Sequence, residues 1–436
     1  MKTLLVKNVD ILPCDGSGQT IKNGCMAVEN GKITYLGLGP VEGSFDRVID
    51  GKGKILMPGL VNAHAHVPMT GLRGYADDLA LQTWLNDHIF PVEDRMDANC
   101  VRISAELGMA EMLASGTTSF SDMYSFCDDI AEAVAENGMK ANICRGILCF
   151  DDSIPFDTAH NPRWAESVGL YDRWHGYDDG RILIDFCVHA EYTTTKRCRE
   201  TVARYAAEKE AIVHFHLSET QSEHEACIAR HGKTPARLFY EEGLLTNRAL
   251  AAHCVWLSED DIKLFAEVGA SVGHCPVSNL KLASGIAPVT AMVDAGVNVA
   301  LGTDGVASNN NHDLFEEIKL ASLLQKGVTL RPEVFPADAA LTMATKNGAK
   351  AQGRRECGSL FVGGDADFIL LDTSAPNMTP RHHAASTAAY SARGSEVCLT
   401  AVRGKILYEN GELKTIDREK LNAEFERLVR PVMFPA

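Results

Sequence analysis

Apolar and polar positions follow two rhythms along this chain. Near the start, Met26-Ala27-Val28-Glu29 is followed by Asn30-Gly31 and then by Lys32-Ile33-Thr34-Tyr35-Leu36. Near the end, Lys405-Ile406-Leu407-Tyr408, Asn410-Gly411 and Glu412-Leu413-Lys414-Thr415 repeat that arrangement. Asn-Gly between two alternating runs predicts a hairpin, because a type I′ turn needs two residues at positive φ. The terminal segments, 1–57 and 357–436, are therefore expected to pair into one discontinuous β-sandwich module. Between them lie eight short apolar, β-branched runs: Leu60–His66, Thr117–Met123, Lys140–Leu148, Ile182–Ala190, Ala211–Glu219, Ala249–Trp256, Ala270–Val277 and Asn298–Gly305. Amphipathic stretches such as Leu314-Phe315…Ile318…Ala321 separate them with the spacing of one helix face. The alternation predicts an α/β chain with a (β/α)8 TIM-type barrel over 58–356. A doubly wound open sheet competes with that reading, but no G-x-G-x-x-G follows the first run.

The chain has 436 residues and a net charge of −16, from 42 Lys+Arg against 58 Asp+Glu. So acidic a chain repels phosphate backbones, which excludes a nucleic-acid polymer as the expected partner. Hydrophobic residues at 45% and charged residues at 23% exclude bulk disorder. No run of about 18 apolar residues occurs, so no membrane span is expected, and the first residues carry too short an apolar run for a signal peptide. The 13 cysteines are scattered without a CxxC pair, which reads as reduced thiols in a cytoplasmic protein.

Catalytic side chains of such barrels gather at the C-terminal ends of the strands. Here those ends carry His64 and His66, Arg145, His189, His216 with Glu219, His253, His274, and Asp304. His64 and His66 are two apart, so in a strand both imidazoles point to one side and can share a metal ion. A bare H-x-H is as well explained by packed histidines. A third His and an Asp at other strand ends shift the reading to a metal site, and three imidazoles with a carboxylate suit Zn²⁺. His214 shares the face of His216 one layer deeper and reads as packed interior.

Pro58-Gly59-Leu60-Val61-Asn62-Ala63-His64-Ala65-His66, His216 three residues before Glu219, His253, and Leu301-Gly302-Thr303-Asp304-Gly305 resemble the strand motifs of the amidohydrolase superfamily. Within it the chain is most similar to the 5′-methylthioadenosine/S-adenosylhomocysteine deaminases. Met69-Thr70-Gly71-Leu72-Arg73-Gly74, Trp84-Leu85, Pro91-Val92-Glu93-Asp94-Arg95, His216-Leu217-Ser218-Glu219-Thr220, and Gly302-Thr303-Asp304-Gly305 followed by Ser308-Asn309 carry that likeness. The resemblance implies one metal per chain, usually zinc, with Fe or Mn as alternatives, on His64, His66, His216 and Asp304. The fourth run ends in His189 and offers no lysine for a second metal.

By the same resemblance, Asp304 and His253 would manage protons of the attacking water, and Glu219 would protonate the ring nitrogen beside the attacked carbon. Glu93 would accept from both ribose hydroxyls, His189 would donate to the purine, and Trp84 would face the 5′ substituent, where a plain core Trp is nearly as good a reading. Arg145 would meet a homocysteine carboxylate, with Arg163 a weaker second candidate. The His274-Cys275-Pro276 loop with Ser278-Asn279 matches the family, with structural and functional readings equally open. The expected partner is a small nucleoside, with self-association left open. Guanine, cytosine or triazine hydrolysis is the alternative activity, and a non-catalytic scaffold a remoter one. The zinc deaminases of the other fold are excluded, because His189-Ala190-Glu191 has no P-C-x-x-C to accompany it.

Overall fold

The computed structural model describes residues 2–435. Its first five strands are β1 (Thr3–Ile11), β2 (Ile21–Glu29), β3 (Lys32–Gly37), β4 (Arg47–Asp50) and β5 (Lys54–Pro58). The next nine follow the eight apolar runs in order: β6 (Leu60–Ala65), β7 (Thr117–Tyr124), β8 (Lys140–Arg145), β9 (Ile182–Ile184), β10 (Phe186–Cys187), β11 (Val213–Leu217), β12 (Ala249–His253), β13 (Ser271–His274) and β14 (Asn298–Leu301), the fourth run being divided at Asp185 into β9 and β10. The chain closes with β15 (Phe368–Asp372), β16 (Val397–Val402), β17 (Lys405–Glu409) and β18 (Glu412–Leu413).

β6 to β9 form one parallel sheet and β10 to β14 a second. The chain passes directly from one to the other at Asp185, whose N–H donates to the Ile143 carbonyl while that of Phe186 donates to Ile212. At the other edges Asp304 bridges Ala65 in parallel register, its N–H donating to the His64 carbonyl at 2.9 Å. Gly302 permits that approach, since a Cβ there would lie 2.8 Å from the His64 backbone. Asn62 and Thr303 tie the same strands by reciprocal bonds of 2.7 and 3.1 Å. The strands are buried on both faces, which is why they read as continuous apolar runs.

The terminal strands pair across the chain, β5 with both β1 and β15, in one nine-stranded sheet. Both Asn-Gly turns adopt positive φ at both residues, 49° and 83° at Asn30-Gly31 and 48° and 89° at Asn410-Gly411. The C-terminal segment differs from the all-β expectation. Residues 418–433 are helical and place Leu421, Val429 and Met433 in the core of the helix Ala98–Ala114, beside Val101 and Met109. Arg95 anchors this segment through two bonds to the Met433 carbonyl, at 2.8 and 3.1 Å. No helix among the described residues is long and apolar enough to cross a membrane.

Candidate active site

The C-terminal ends of the parallel strands bring His64, His66, His216, His253 and Asp304 together, and each ring is fixed by what its other nitrogen touches. His66 Nδ1 donates to the Met123 carbonyl at 2.6 Å, and His216 Nδ1 to the His189 carbonyl at 2.8 Å. A carbonyl only accepts, so both Nε2 atoms are left as lone pairs. They nevertheless face each other at 3.2 Å. His64 Nδ1 meets His214 Nε2 at 2.9 Å, while its own buried Nε2 has no hydrogen-bond partner. Asp304 Oδ1 stands 3.3 Å from His66 Nε2 and 3.5 Å from His64 Nε2. Its Oδ2 is occupied, accepting from Ser278 Oγ at 2.6 Å and Ser308 Oγ at 3.0 Å.

Three convergent ring nitrogens and one free carboxylate oxygen form a donor set that fits a divalent cation of the zinc class. The ligands' own partners do the orienting, as is usual around metals. His214 is buried as expected of an interior residue, and its Nε2 holds the His64 ring in place through Nδ1. Ser278 and Asn279 provide a use for the loop after His274: Ser278 holds Asp304, and Asn279 Oδ1 accepts from His253 Nδ1 at 2.9 Å. His274 itself is buried with neither ring nitrogen bonded.

Left-handed backbone occurs at three residues of the site. His253 and Asp304 have φ of 69° and 60°, and Ser218 has 49°. Left-handed backbone at non-glycine residues is sparse and gathers at functional sites. The turn at Ser218 is held by Glu223, whose two carboxylate oxygens accept the N–H groups of Ser218 (3.0 Å) and Glu219 (2.8 Å). That turn aims the Glu219 carboxyl at His253 Nε2, 3.8 Å away, with Ser284 Oγ on its other oxygen at 3.3 Å.

The electrostatics divide these groups. Burial raises the Glu219 carboxyl, with His253 pulling the other way. Burial alone would lower His253, but the Glu219 and Asp304 carboxylates outweigh it and raise this imidazole. Burial pushes His64 down to about 4 and His189 to about 3, keeping both neutral. For Asp304 burial works upward, and the surrounding histidines, His64 first, hold it well below the usual carboxylate range.

A cavity opens over this cluster, and Trp84, Glu93, Arg145 and His189 all line it. Glu93 accepts from Tyr124 Oη at 2.5 Å, and burial pushes its carboxyl up to about 7. Trp84 is buried with an unbonded indole N–H. His189 Nδ1 lies 3.1 Å from Thr193 Oγ1. Arg145 is already engaged: its Nε donates to Glu166 at 2.6 Å and one Nη to the Gly146 carbonyl at 2.8 Å. Arg163 is not part of this wall and donates to the Leu148 carbonyl at 3.1 Å. Sequence reasoning singled out Ser308 only as a motif residue, without its contact to Asp304, and missed Tyr124 and Glu223; the Glu223 position, four after Glu219 in a helix first turn, was the one legible signal.

Residues 55–407 match the model of the amidohydrolase family. The chain belongs to that family. A 5-methylthioadenosine/S-adenosylhomocysteine deaminase from Moorella thermoacetica is 43% identical over 428 residues, covering 97% of this chain and 98% of that one. A 5′-deoxyadenosine deaminase from Methanosarcina acetivorans is 43% identical, covering 97% of both. The crystal structure of an adenosine deaminase from Xanthomonas campestris with bound zinc superposes with a TM-score of 0.93 at 35% identity, covering 98% of each chain.

Proposed function

We propose that the chain is a zinc-dependent aminohydrolase that converts an adenosine derivative, 5′-methylthioadenosine and/or S-adenosylhomocysteine, to the inosine analogue and ammonia. The observation that carries this reading is Glu219, a carboxyl raised by burial that faces His253 within the cavity that holds the metal donor set. The full-length relatives named as deaminases of such nucleosides support the substrate class.

Joined at both edges, the two parallel sheets are read as one closed (β/α)8 barrel over 58–356. The nine-stranded sheet folds over Leu4, Val6, Phe368 and Leu399 as the sandwich module of 1–57 and 357–436. His64, His66, His216 and Asp304 Oδ1 would hold one metal. What a bound divalent metal supplies is a coordinated water whose pKa falls towards about 7. The chain's own groups do the remaining work. Asp304 takes a proton from the attacking water. His253, its Nδ1 hydrogen fixed on Asn279, turns Nε2 to that water and orients it. Glu219 gives its proton to the ring nitrogen beside the attacked carbon, so that the electrons displaced by attack arrive at a neutral position. The proton held by Asp304 passes to the amine, which leaves as ammonia, while the adduct's hydroxyl proton returns to Glu219 as the carbonyl forms.

Glu93 would grip the ribose hydroxyls, with Tyr124 fixing the carboxylate, and His189 would meet the purine. Trp84 would pack against the 5′ substituent. Arg145 would hold a terminal carboxylate after exchanging Glu166 for it. The 13 unpaired thiols support a reducing, cytoplasmic setting. An ammonia-release screen over adenosine, 5′-deoxyadenosine, methylthioadenosine, S-adenosylhomocysteine, guanine, cytosine and a triazine tests the reading. Turnover confined to a free base or the triazine overturns it.

A further inference from the structure

A second cavity, of about 770 Å³, lies at the opposite ends of the same strands, against Ala249, Ser271 and Asn298 where β12, β13 and β14 begin. Its wall contains Arg248, Lys346, Lys350, Arg354 and Arg355, against one carboxylate, that of Asp15. The excess of four positive charges is local to a chain whose net charge is −16. Most basic side chains of the molecule meet an acid. Among the described residues, none of these five pairs with a carboxylate: Lys346 donates to the Asp15 carbonyl at 2.7 Å, while the side chains of Arg248, Lys350 and Arg355 make no hydrogen bond. The Asp15 carboxylate is itself taken by the Ser17 N–H at 2.8 Å.

Arg354 adds a different kind of observation. It is 8% exposed, and its two Nη groups donate to the carbonyls of Gly180, Ala141 and Arg181. Its buried Nε has no acceptor on the chain. Arg354 thus brings to the cavity wall a buried positive charge that no carboxylate pairs with. Beside these charges stands Phe361, 40% exposed, an apolar ring on which a flat heterocycle can stack. The volume lies within the range that small-molecule sites occupy, roughly 300–1,000 Å³.

We propose that this cavity binds a nucleoside di- or triphosphate, the phosphates held by Arg248, Lys350 and Arg355 and the base stacked on Phe361.

Calorimetric titration of the metal-loaded protein with ADP and, separately, with inorganic phosphate tests the proposal. Saturable binding of ADP, tighter than that of phosphate, is expected. Arg248→Glu combined with Lys350→Glu, both exposed positions, should weaken ADP at least tenfold with deaminase kinetics unchanged. Phe361→Ala should bring ADP down to the affinity of phosphate. No saturable ADP binding, equal affinity for ADP and phosphate in the unaltered protein, or an ADP affinity that ignores the double charge reversal but falls with Glu93→Ala each overturns the proposal.

Discussion

His66 and His216 face each other with their Nε2 lone pairs 3.2 Å apart, because the carbonyls of Met123 and His189 occupy the two Nδ1 hydrogens. Two acceptors at that distance repel unless a cation lies within reach of both. The expected outcome is about one divalent ion per chain by elemental analysis, lost in His216→Ala and Asp304→Ala. Chelation should lower the melting temperature, since the ion binds only the assembled donor set. A chelated protein that melts at the same temperature as the loaded one speaks against this site.

The proton on Glu219 is the second point of test. Glu219→Gln keeps the shape and removes the transferable proton, so kcat should fall by roughly 10²-fold or more with metal content unchanged. Burial raises this carboxyl, so the acid form persists to higher pH than for an exposed Glu, and activity declines as pH rises through its pKa. Glu223→Gln leaves one of the two N–H groups of the Ser218 turn facing an amide donor. It should lower kcat with little change in KM. A variant Glu219→Gln that turns over near the unaltered rate removes Glu219 from the proton path.

What the sequence disclosed about this site divides along physical lines. Period and residue type are local, so the strand ends, the H-x-H pair and both Asn-Gly hairpins could be read directly. The partners that hold these rings and carboxylates in place are not local. His214 reaches His64 across 150 positions, Ser278 reaches Asp304 across 26, and Tyr124 reaches Glu93 across 31. No spacing rule encodes such contacts, because they follow from which strand ends the sheets bring side by side. The helical segment 418–433 was hidden for a similar reason. Its apolar positions have meaning only against the helix Ala98–Ala114 on which they pack.

Glu93 and Tyr124 yield a prediction with a pH sign. Burial holds the Glu93 carboxyl at about 7, and the Tyr124 hydroxyl works against that rise. The ionised form is the better acceptor for two hydroxyls, so KM for every nucleoside substrate should fall as pH rises through about 7. Tyr124→Phe removes the lowering influence and should move that transition upward. Glu93→Ala should abolish it and cost on the order of 1.5–3 kcal/mol in kcat/KM. A KM that is flat with pH in the unaltered enzyme contradicts the ribose assignment.

Arg145 is bound to Glu166 at 2.6 Å, and that carboxylate is 57% exposed. A substrate carboxylate must therefore compete with a mobile, solvated one. Arg145→Ala should reduce kcat/KM for S-adenosylhomocysteine much more than for methylthioadenosine, because only the former carries a carboxylate. Glu166→Ala should do the opposite and favour S-adenosylhomocysteine. The comparison of two substrates on one variant cancels any general loss of stability. Equal effects on both would leave Arg145 as a residue that orders the cavity rim.

Lys140, wholly buried at the start of β8, lies between Asp365 and Asp367 just ahead of β15, with Cys357 Sγ 3.0 Å from its Nζ. It is the charge that joins the parallel strands to the terminal sheet. Lys140→Met fills similar space but leaves two buried carboxylates facing each other. Breaking a buried pair from one side costs about 3–5 kcal/mol, so the variant should be strongly destabilised at neutral pH. The acid limb gives an independent check. Burial would raise Asp365, but Lys140 outweighs it and holds the carboxyl far below its ordinary value. A depressed carboxyl contributes stability above its unfolded pKa and loses it as pH falls through the folded one. In the variant only Lys32 and Arg403 are left to lower Asp365, so that contribution shrinks, and protonation relieves the repulsion between the two carboxylates. The stability gap between the two proteins, measured by urea unfolding, should therefore narrow steadily as the pH is lowered below about 4. A gap that stays constant with pH would mean that Lys140 acts by filling space and not by its charge.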